Sequence, residues 1–266
     1  MVIVGVPVIV AVIYLGGLVY ALTVAIVLAL AAWEYIQMFR AGGLRPSGFL
    51  IIAGLALIVA DRAANAFTYS PLILSGLILG SMTYHLIAYE RGGENPGTEF
   101  SITLGGILYL GWIGAYFISL RNLPDGLWWT LVVLTGVWCA DGLAYLVGRS
   151  YGRHPLSPRL SPKKTWEGYW GGVVGGTLGG ALIAFLFQRY WLGPLSAITP
   201  LRGAILGLAL SVLTTLGDLG ESMFKRQLGF KDSGSLLPGH GGAFDRIDSW
   251  LWAAVLGYYI IEVFIR

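Results

Sequence analysis

Four aspartates in the second half of the chain have the residue type and the surroundings that chemistry needs. Asp141 follows the apolar stretch 131–140, and Asp218 lies in the apolar stretch 213–220. Asp245 and Asp248 are three residues apart, so both can face one side of a helix start. An aspartate inside an apolar helix costs about 2.5–3.5 kcal/mol on insertion scales, which makes it a functional candidate. The alternative is a hydrogen bond or ion pair between helices, or, for Asp245 and Asp248, a favourable interaction with the helix dipole.

Basic residues accompany these aspartates. Ser222 and Lys225 follow Asp218 at offsets of four and seven, so the three share one helix face. Lys163 and Lys164 directly precede a predicted helix start at which Thr165 could act as the N-cap. Buried carboxylates next to basic loops could bind a divalent cation, while the basic residues bind phosphates. Magnesium prefers carboxylate and phosphate oxygens as ligands. The basic pair could equally be a topology signal.

A glycine-rich segment at 229–242 contains Lys231, His240, Gly241 and Gly242. Glycines allow backbone amides to approach phosphate closely, and the helix start that follows adds partial positive charge. The segment is not a Walker loop. His240 could donate to phosphate or exchange a proton, although a lone loop histidine more often does neither.

The composition determines the class of protein that must position these residues. Of the 266 residues, 56% are hydrophobic and 12% are charged, and long apolar stretches recur throughout. A helix that crosses a bilayer needs about 20 apolar residues. The sequence therefore predicts an all-α, polytopic integral membrane protein with about nine transmembrane helices. The first is short and separated from the second at Gly16 and Gly17, and the later ones are placed at about 48–67, 71–89, 101–120, 126–147, 168–188, 203–224 and 249–265.

Three features of these spans call for interpretation. The span at 48–67 is the weakest, because Asp61 and Arg62 lie within it. Glu34, between Trp33 and Tyr35, is interpreted as an anchor at the membrane interface. Small residues at four-residue spacing in the segment 171–180 predict close helix packing.

The charges predict orientation and organisation. Most of the 17 Lys and Arg residues fall on the side of the N-terminus and of two longer basic loops, 148–167 and 225–248. The positive-inside rule places that side in the cytoplasm. We expect transmembrane helices at 1–120 and a transmembrane catalytic region at 121–266. Because residues 1–14 lack a positive n-region, we expect a retained first helix rather than a cleaved signal.

The segment 222–248, SMFKRQLGFKDSGSLLPGHGGAFDRID, resembles the signature of phosphatidate cytidylyltransferases, also called CDP-diacylglycerol synthases. Two further segments agree with that family: DGLAY at 141–145 with Gly148 and Arg149, and SPKKTWEG at 161–168. The specific resemblance covers about the second half of the chain. It implies that CTP and phosphatidate give CDP-diacylglycerol and pyrophosphate with magnesium, as one or two cations, at the cytoplasmic face of a bacterial-type inner membrane.

The resemblance also suggests roles for single residues. Asp218 and Asp245 would be the metal ligands, with Asp141, Asp248 and Lys225 completing the catalytic set. We expect membrane lipids as surroundings, a homodimer, and no nucleic acid as a partner. The expected substrate-binding residues are Lys163, Lys164, Ser222, Arg226, Lys231, His240, Gly241, Gly242 and Arg246.

Two rival functions remain open at this point. A CTP-dependent polyprenol kinase-like enzyme would move the γ-phosphoryl group, so that CDP rather than pyrophosphate would be released. An ion-coupled transporter would use Asp141 and Asp218 as an ion relay. Clustering of the polar groups on one predicted face, with no visible inverted repeat, counts against the transporter.

Overall fold

A computed structural model describes the backbone of residues 2–234 and 241–265 and the side chains from residue 5 onward within these ranges. The described part is mostly helical. Three π-helical segments, Ile107–Ile113, Gln188–Leu192 and Ile261–Ile265, continue α-helices or separate them. The α-helices are α1 Val2–Leu15, α2 Gly17–Ala41, α3 Gly48–Asn65, α4 Ser70–Glu90, α5 Pro96–Gly106, α6 Tyr116–Arg121, α7 Gly126–Tyr151, α8 Trp166–Phe187, α9 Pro200–Leu213, α10 Thr215–Gln227 and α11 Phe244–Ile260.

Within the described residues, eight helical segments are long and apolar enough to cross a membrane, and Gly5–Leu15 is a shorter apolar helix. This confirms the all-α polytopic class and the short first helix. The break between α1 and α2 falls at Gly16, and both Gly16 and Gly17 have positive φ angles, of 61° and 52°. A side chain at either position would be strained.

The predicted span at 203–224 is divided into two helices. Residues Pro200–Gln227 form one long apolar segment, but α9 ends at Leu213 and α10 begins at Thr215. Asp218 therefore lies in the first turn of α10 rather than inside a continuous helix. The segment that contains Asp141 also differs from expectation, because α7 continues to Tyr151.

The chain forms two compact units, and the first comprises residues 2–14, 120–223 and 248–265. Its core includes Trp129 of α7, Ala184 of α8, and Leu206 and Leu210 of α9, all buried. Two glycine pairs, Gly176 with Gly207 and Gly180 with Gly203, let α8 and α9 touch backbone to backbone, since a Cβ at Gly207 or Gly180 would collide with the facing carbonyl oxygen. The close packing predicted for 171–180 is confirmed.

A short hairpin in the first unit was not predicted from the sequence. Strand β1, Pro155–Ser157, pairs antiparallel with β2, Ser161–Thr165, within the expected basic loop. Strand β2 leads directly into α8. Thr165 caps α8, because its Oγ1 accepts a hydrogen bond from the Gly168 amide at 3.2 Å. The predicted cap is confirmed.

The second unit comprises residues 15–119 and 224–247. Its core is formed by α2, α3 and the π-helical segment Ile107–Ile113. The side chains of Leu28, Ile51, Leu55 and Leu110 are almost fully buried there. Gly111 allows that segment to lie close to α3, since a Cβ there would be 3.3 Å from the Leu55 Cα. The proposed division of the chain at residue 120 stays a prediction.

The two charges that weakened the predicted third span are both accommodated inside the second unit. The Asp61 carboxylate accepts hydrogen bonds from the Tyr69 amide (3.2 Å) and the Ser70 hydroxyl (2.5 Å) at the start of α4. The Arg62 guanidinium carbon lies 3.8 Å from the ring centre of Phe67 and 4.5 Å from that of Tyr116. Asp61 is hydrogen-bonded and the Arg62 guanidinium lies against aromatic rings, so both charges have favourable local contacts within α3 and its neighbours.

Candidate active site

Three of the four predicted aspartates lie together in the first unit. Asp141 belongs to α7, Asp218 to α10 and Asp248 to α11. Asp218 interacts electrostatically with Asp141, and Asp248 with both. Asp141 is exposed, Asp218 is partly exposed and Asp248 is buried. Like charges held together are unfavourable without a cation among them, so this cluster favours cation binding.

A glycine brings two of these aspartates close to each other. A Cβ at Gly217 would lie 2.6 Å from the Asp248 carbonyl oxygen and 2.7 Å from the Trp252 ring. The backbones of α10 and α11 therefore approach closely just before Asp218. The Asp248 carboxylate accepts a hydrogen bond from the Ser249 amide at 2.6 Å, which orients it.

Lys164 is the cation that offsets the repulsion within this cluster. Its Nζ lies 2.5 Å from Asp218 Oδ2, with 28% of the lysine side chain and 34% of the aspartate side chain exposed. Lys164 also interacts favourably with Asp141 and Asp248. The position is fixed because strand β2 runs straight into the capped start of α8. Lys163 is exposed on the opposite face of the strand.

Ser222 lies one helical turn after Asp218. Its Oγ is 3.5 Å from Asp218 Oδ1, so the two side chains share a face of α10 as predicted. A bond of this length is weak.

The fourth predicted aspartate, Asp245, is held by the second unit. Lys225 Nζ donates to Asp245 Oδ1 at 2.5 Å, and both side chains are nearly buried. The other oxygen, Oδ2, accepts from the Ser233 amide (2.9 Å), the Ser233 hydroxyl (2.8 Å) and the Gly242 amide (2.7 Å). Lys225 was expected in the catalytic set, and the structure gives it the Asp245 carboxylate as a partner.

Gly241 has a backbone that suits only glycine. Its φ angle is +77°, and a Cβ there would lie 2.7 Å from Asp245 Oδ2. Gly241 and Gly242 therefore serve the carboxylate of Asp245, whereas the sequence predicted contacts with phosphate.

Glu34 is the residue whose role sequence reasoning missed. It was interpreted as an interface anchor, which is wrong, because it is buried with 4% of its surface exposed. Its carboxylate accepts hydrogen bonds from the amides of Ala243 and Phe244, each at 2.9 Å, and from the Ser233 hydroxyl at 3.0 Å. The signal was a single acidic residue in an apolar helix, the same signal that identified Asp141. The neighbouring aromatic residues Trp33 and Tyr35 favoured the interpretation as an interface anchor instead.

Comparison with known proteins decides the family. The family model described as "Cytidylyltransferase family" matches residues 1–264. The chain belongs to this family. Its relatives include a phosphatidate cytidylyltransferase of Synechocystis sp., 32% identical over 97% of this chain and 94% of the relative. Another, of Bacillus subtilis, is 42% identical over 61% of this chain and 58% of the relative.

A plant relative extends the similarity beyond bacteria. It is the phosphatidate cytidylyltransferase 5, chloroplastic, of Arabidopsis thaliana, 31% identical over 93% of this chain and 67% of the relative. These matches confirm the family resemblance seen in the sequence, and they extend over the first half of the chain, where the sequence offered only similar hydropathy.

The remaining cations predicted for substrate binding in this cytidylyltransferase are exposed in the described part of the chain. They are Lys163, Arg226, Lys231 and Arg246. Arg226 donates to the Phe230 carbonyl at 3.3 Å, within the turn that follows α10. His240 lies outside the described residues.

The predicted magnesium can be compared with the donor set. Among the described residues, no group of three or more His, Cys, Asp and Glu side chains is arranged to hold a metal ion by itself. Magnesium commonly takes only one or two carboxylates and completes its shell with water and substrate phosphates. The mutually repelling carboxylates of Asp141, Asp218 and Asp248 fit that requirement.

Proposed function

We propose that this membrane cytidylyltransferase transfers the cytidylyl group of CTP to phosphatidate, which gives CDP-diacylglycerol and pyrophosphate. The family match along residues 1–264 is the observation that carries the proposal. The names of the relatives support the same pair of substrates. The aspartates and lysines of the signature segment supply the charges that such a transfer needs.

The proposed chemistry is an in-line displacement at phosphorus. An oxygen of the phosphatidate phosphate attacks the α-phosphorus of CTP, one P–O bond forms, and the bond to the bridging oxygen of the β-phosphate breaks. Pyrophosphate leaves with the electron pair. The attacking phosphate is already an anion, so no protein nucleophile is required. Positioning and charge neutralisation supply most of the rate enhancement in reactions of this kind.

Magnesium is the proposed cofactor, and it would neutralise charge on the triphosphate. Asp218 and Asp245 are the proposed ligands, because the signature segment and the residues just before it carry both. Asp141 and Asp248 would add further oxygen ligands or orient bound water. Mutual repulsion among Asp141, Asp218 and Asp248 supports a cation at their carboxylates.

The lysines have proposed roles that differ with their partners. Lys164 is paired with Asp218. If Lys164 leaves this carboxylate to bind the phosphate of phosphatidate, lipid binding is linked to the aspartate cluster. Lys225, Arg226 and Lys231 are proposed to neutralise the triphosphate or the leaving pyrophosphate. Lys163 and Arg246, which are exposed, are proposed to contact anionic head groups or nucleotide phosphate.

We further propose an inner-membrane location with the site at the cytoplasmic face. The positive-inside bias of the basic loops supports it. The chain has one cysteine, Cys139, so a C139A background allows a single new cysteine at Arg159 in the hairpin loop. A membrane-impermeant maleimide should label R159C in inverted vesicles and leave it unlabelled in right-side-out spheroplasts. The reverse pattern would place the site outside.

A homodimer is the proposed assembly, as the family resemblance implies. Light scattering of the detergent complex, corrected for bound detergent, should give twice the 28.6 kDa chain mass. A mass of one chain would contradict this part of the proposal without affecting the reaction.

Product analysis of the purified protein tests the reaction. Protein in detergent is given CTP, phosphatidate and magnesium, and pyrophosphate and CDP-diacylglycerol are quantified. We expect both products in equal amounts and no CDP. Diacylglycerol, which lacks the attacking phosphate, serves as the control substrate and should give neither product. Release of CDP would indicate γ-phosphoryl transfer, and absence of any nucleotide product would contradict an enzyme of either kind.

A further inference from the structure

We propose that Glu34 is a positioning residue for this transfer, one that acts on Asp245 through Ser233 and the start of α11. The inference rests on the proposed function, in which Asp245 is a metal ligand. Glu34 lies in α2, whereas Ala243 and Phe244, whose amides it binds, lie 209 and 210 residues further along the chain. This one carboxylate therefore ties the signature segment to the second helix.

The Glu34 carboxylate is bound at both oxygens. Oε1 accepts from the Ala243 amide, and Oε2 accepts from the Phe244 amide and the Ser233 hydroxyl. The two amides belong to the N-terminus of α11, where backbone N–H groups have no partner within the helix and where negative charge is favoured. Glu34 thus fixes the end of the helix whose first turn carries Asp245.

Ser233 connects Glu34 with Asp245. Its hydroxyl lies 3.0 Å from Glu34 Oε2 and 2.8 Å from Asp245 Oδ2. A hydroxyl has one proton, so it donates to one carboxylate at a time. The Ser233 amide donates to Asp245 as well, at 2.9 Å. A change at Glu34 therefore reaches Asp245 by two routes, the hydroxyl and the helix start.

The surroundings leave Glu34 little freedom. A Cβ added at Gly234 would lie 2.6 Å from its Oε1, and one at Gly242 would collide with Oε2. The neighbouring Tyr35 ring packs against Phe224 and Phe244, with ring centres 6.0 Å and 6.2 Å apart. Both glycines belong to the signature segment, so its shape is matched to a carboxylate at position 34.

The same unit offers a matched control. Asp61 is also 4% exposed and also accepts an amide and a serine hydroxyl at the start of a helix, here Tyr69 and Ser70 of α4. Its partners lie outside the signature segment. Asp61→Asn therefore perturbs a buried helix-capping carboxylate of the same kind, whose partners Tyr69 and Ser70 lie at the start of α4 and not in the signature segment. The kcat and unfolding temperature of Asp61→Asn therefore show the effect of losing a carboxylate whose role is purely structural.

The experiment compares Glu34→Gln with Asp61→Asn in the full-length protein in detergent, after the wild-type protein has shown pyrophosphate release. Glutamine has nearly the same shape, but its NH₂ group would face a backbone N–H, donor against donor. We expect kcat of Glu34→Gln to fall about 10- to 100-fold, with the KM for CTP changed less than about threefold. Asp61→Asn should keep its kcat even where the unfolding temperature falls.

A double-mutant cycle with Ser233→Ala tests the proposed route. Because part of the effect of Glu34 passes through the Ser233 hydroxyl, the fall in kcat of the double variant should be smaller than the product of the two single falls. Unchanged kcat in Glu34→Gln, with only a lower unfolding temperature, would overturn the inference. So would effects that multiply in the double variant.

Two further outcomes keep the test decisive. If Glu34→Gln does not accumulate as folded protein, Ser233→Ala alone decides, because it leaves both amide bonds of Glu34 in place. Normal kcat in Ser233→Ala would then overturn the inference. An inactive wild-type protein would instead contradict the proposed function, so the two failures are distinguishable.

Discussion

The two groups of carboxylates in this cytidylyltransferase are held in opposite ways. In the first unit, Asp141, Asp218 and Asp248 repel one another, and Lys164 is the cation that offsets the repulsion. In the second unit, Asp245 and Glu34 accept bonds from backbone amides, a hydroxyl and, at Asp245, Lys225. The first group gains stability from an added cation, whereas the carboxylates of the second group are already bound by donors of the protein. We infer that charge repulsion prepares the first group for a cation, and that hydrogen bonds hold Asp245 of the second group in place for its proposed role as a ligand.

Asp218→Asn should have the largest effect on catalysis. Removing one of the repelling charges removes a proposed ligand, and we expect kcat to fall by at least about a hundredfold. The unfolding temperature should stay level or rise, because repulsion is relieved. Pyrophosphate release and thermal unfolding in detergent measure the two effects.

Asp125→Asn is the control for Asp218→Asn. Asp125 is exposed, and its backbone is in the left-handed region, with φ of 57°, a conformation that asparagine tolerates. Asp125→Asn should leave kcat and the unfolding temperature unchanged. Near wild-type turnover in Asp218→Asn would contradict the metal assignment.

Asp245→Asn should reduce turnover and stability together. Asparagine can still accept from the amides, but Lys225 loses its anionic partner, and breaking a buried pair costs about 3–5 kcal/mol. We expect a lower unfolding temperature than for Asp218→Asn, which is the difference that separates the two groups. Equal unfolding temperatures for the two variants would remove the distinction.

Lys225→Ala should raise the apparent KM for CTP, by about tenfold or more if a triphosphate contact is lost. Lys164→Ala is the matched variant in the other group, and its main effect should fall on the KM for phosphatidate. Steady-state kinetics with each substrate varied in turn measure both. A reversed pattern would exchange the assignments of the two lysines.

Gly217→Ala should have the smallest effect. The added methyl group would lie 2.6 Å from the Asp248 carbonyl oxygen, closer than a Cβ atom can come to a backbone atom, so α10 and α11 must move apart locally. A displacement of less than about 1 Å near Asp218 should lower kcat about tenfold. Gly220→Ala, one turn on, has open space for its methyl group and should be silent. Loss of activity in Gly220→Ala would indicate a general sensitivity of α10.

The sequence predicted the elements better than the contacts. Apolar length determined the spans, and the glycine spacing at 171–180 predicted close helix packing without naming the partner, because both depend on local sequence. The break between α9 and α10 was not foreseen, since the hydropathy of Pro200–Gln227 is continuous. Its position depends on packing that no local pattern records.

Partners of charged groups were the least predictable feature. The sequence shows that residue 34 is acidic, but the amides that bind it lie more than 200 positions further along the chain. No periodic pattern in the sequence predicts a contact between residues so far apart. The Lys164–Asp218 and Lys225–Asp245 pairs were also missed, although all four residues had been selected as candidates, because each pair joins different elements of the fold. Residue type indicated which side chains matter, and tertiary contacts determined what each one touches.

The backbone contact between α8 and α9 has a genetic consequence. Gly176, Gly180, Gly203 and Gly207 touch one another through main-chain atoms, and β2 places Lys164 at the head of α8. In an unbiased screen for loss-of-function alleles, single-methyl changes at these four codons should be recovered alongside the aspartate codons. Such alleles would be temperature-sensitive rather than null, because the lesion separates two helices and leaves every charged group of the enzyme in place.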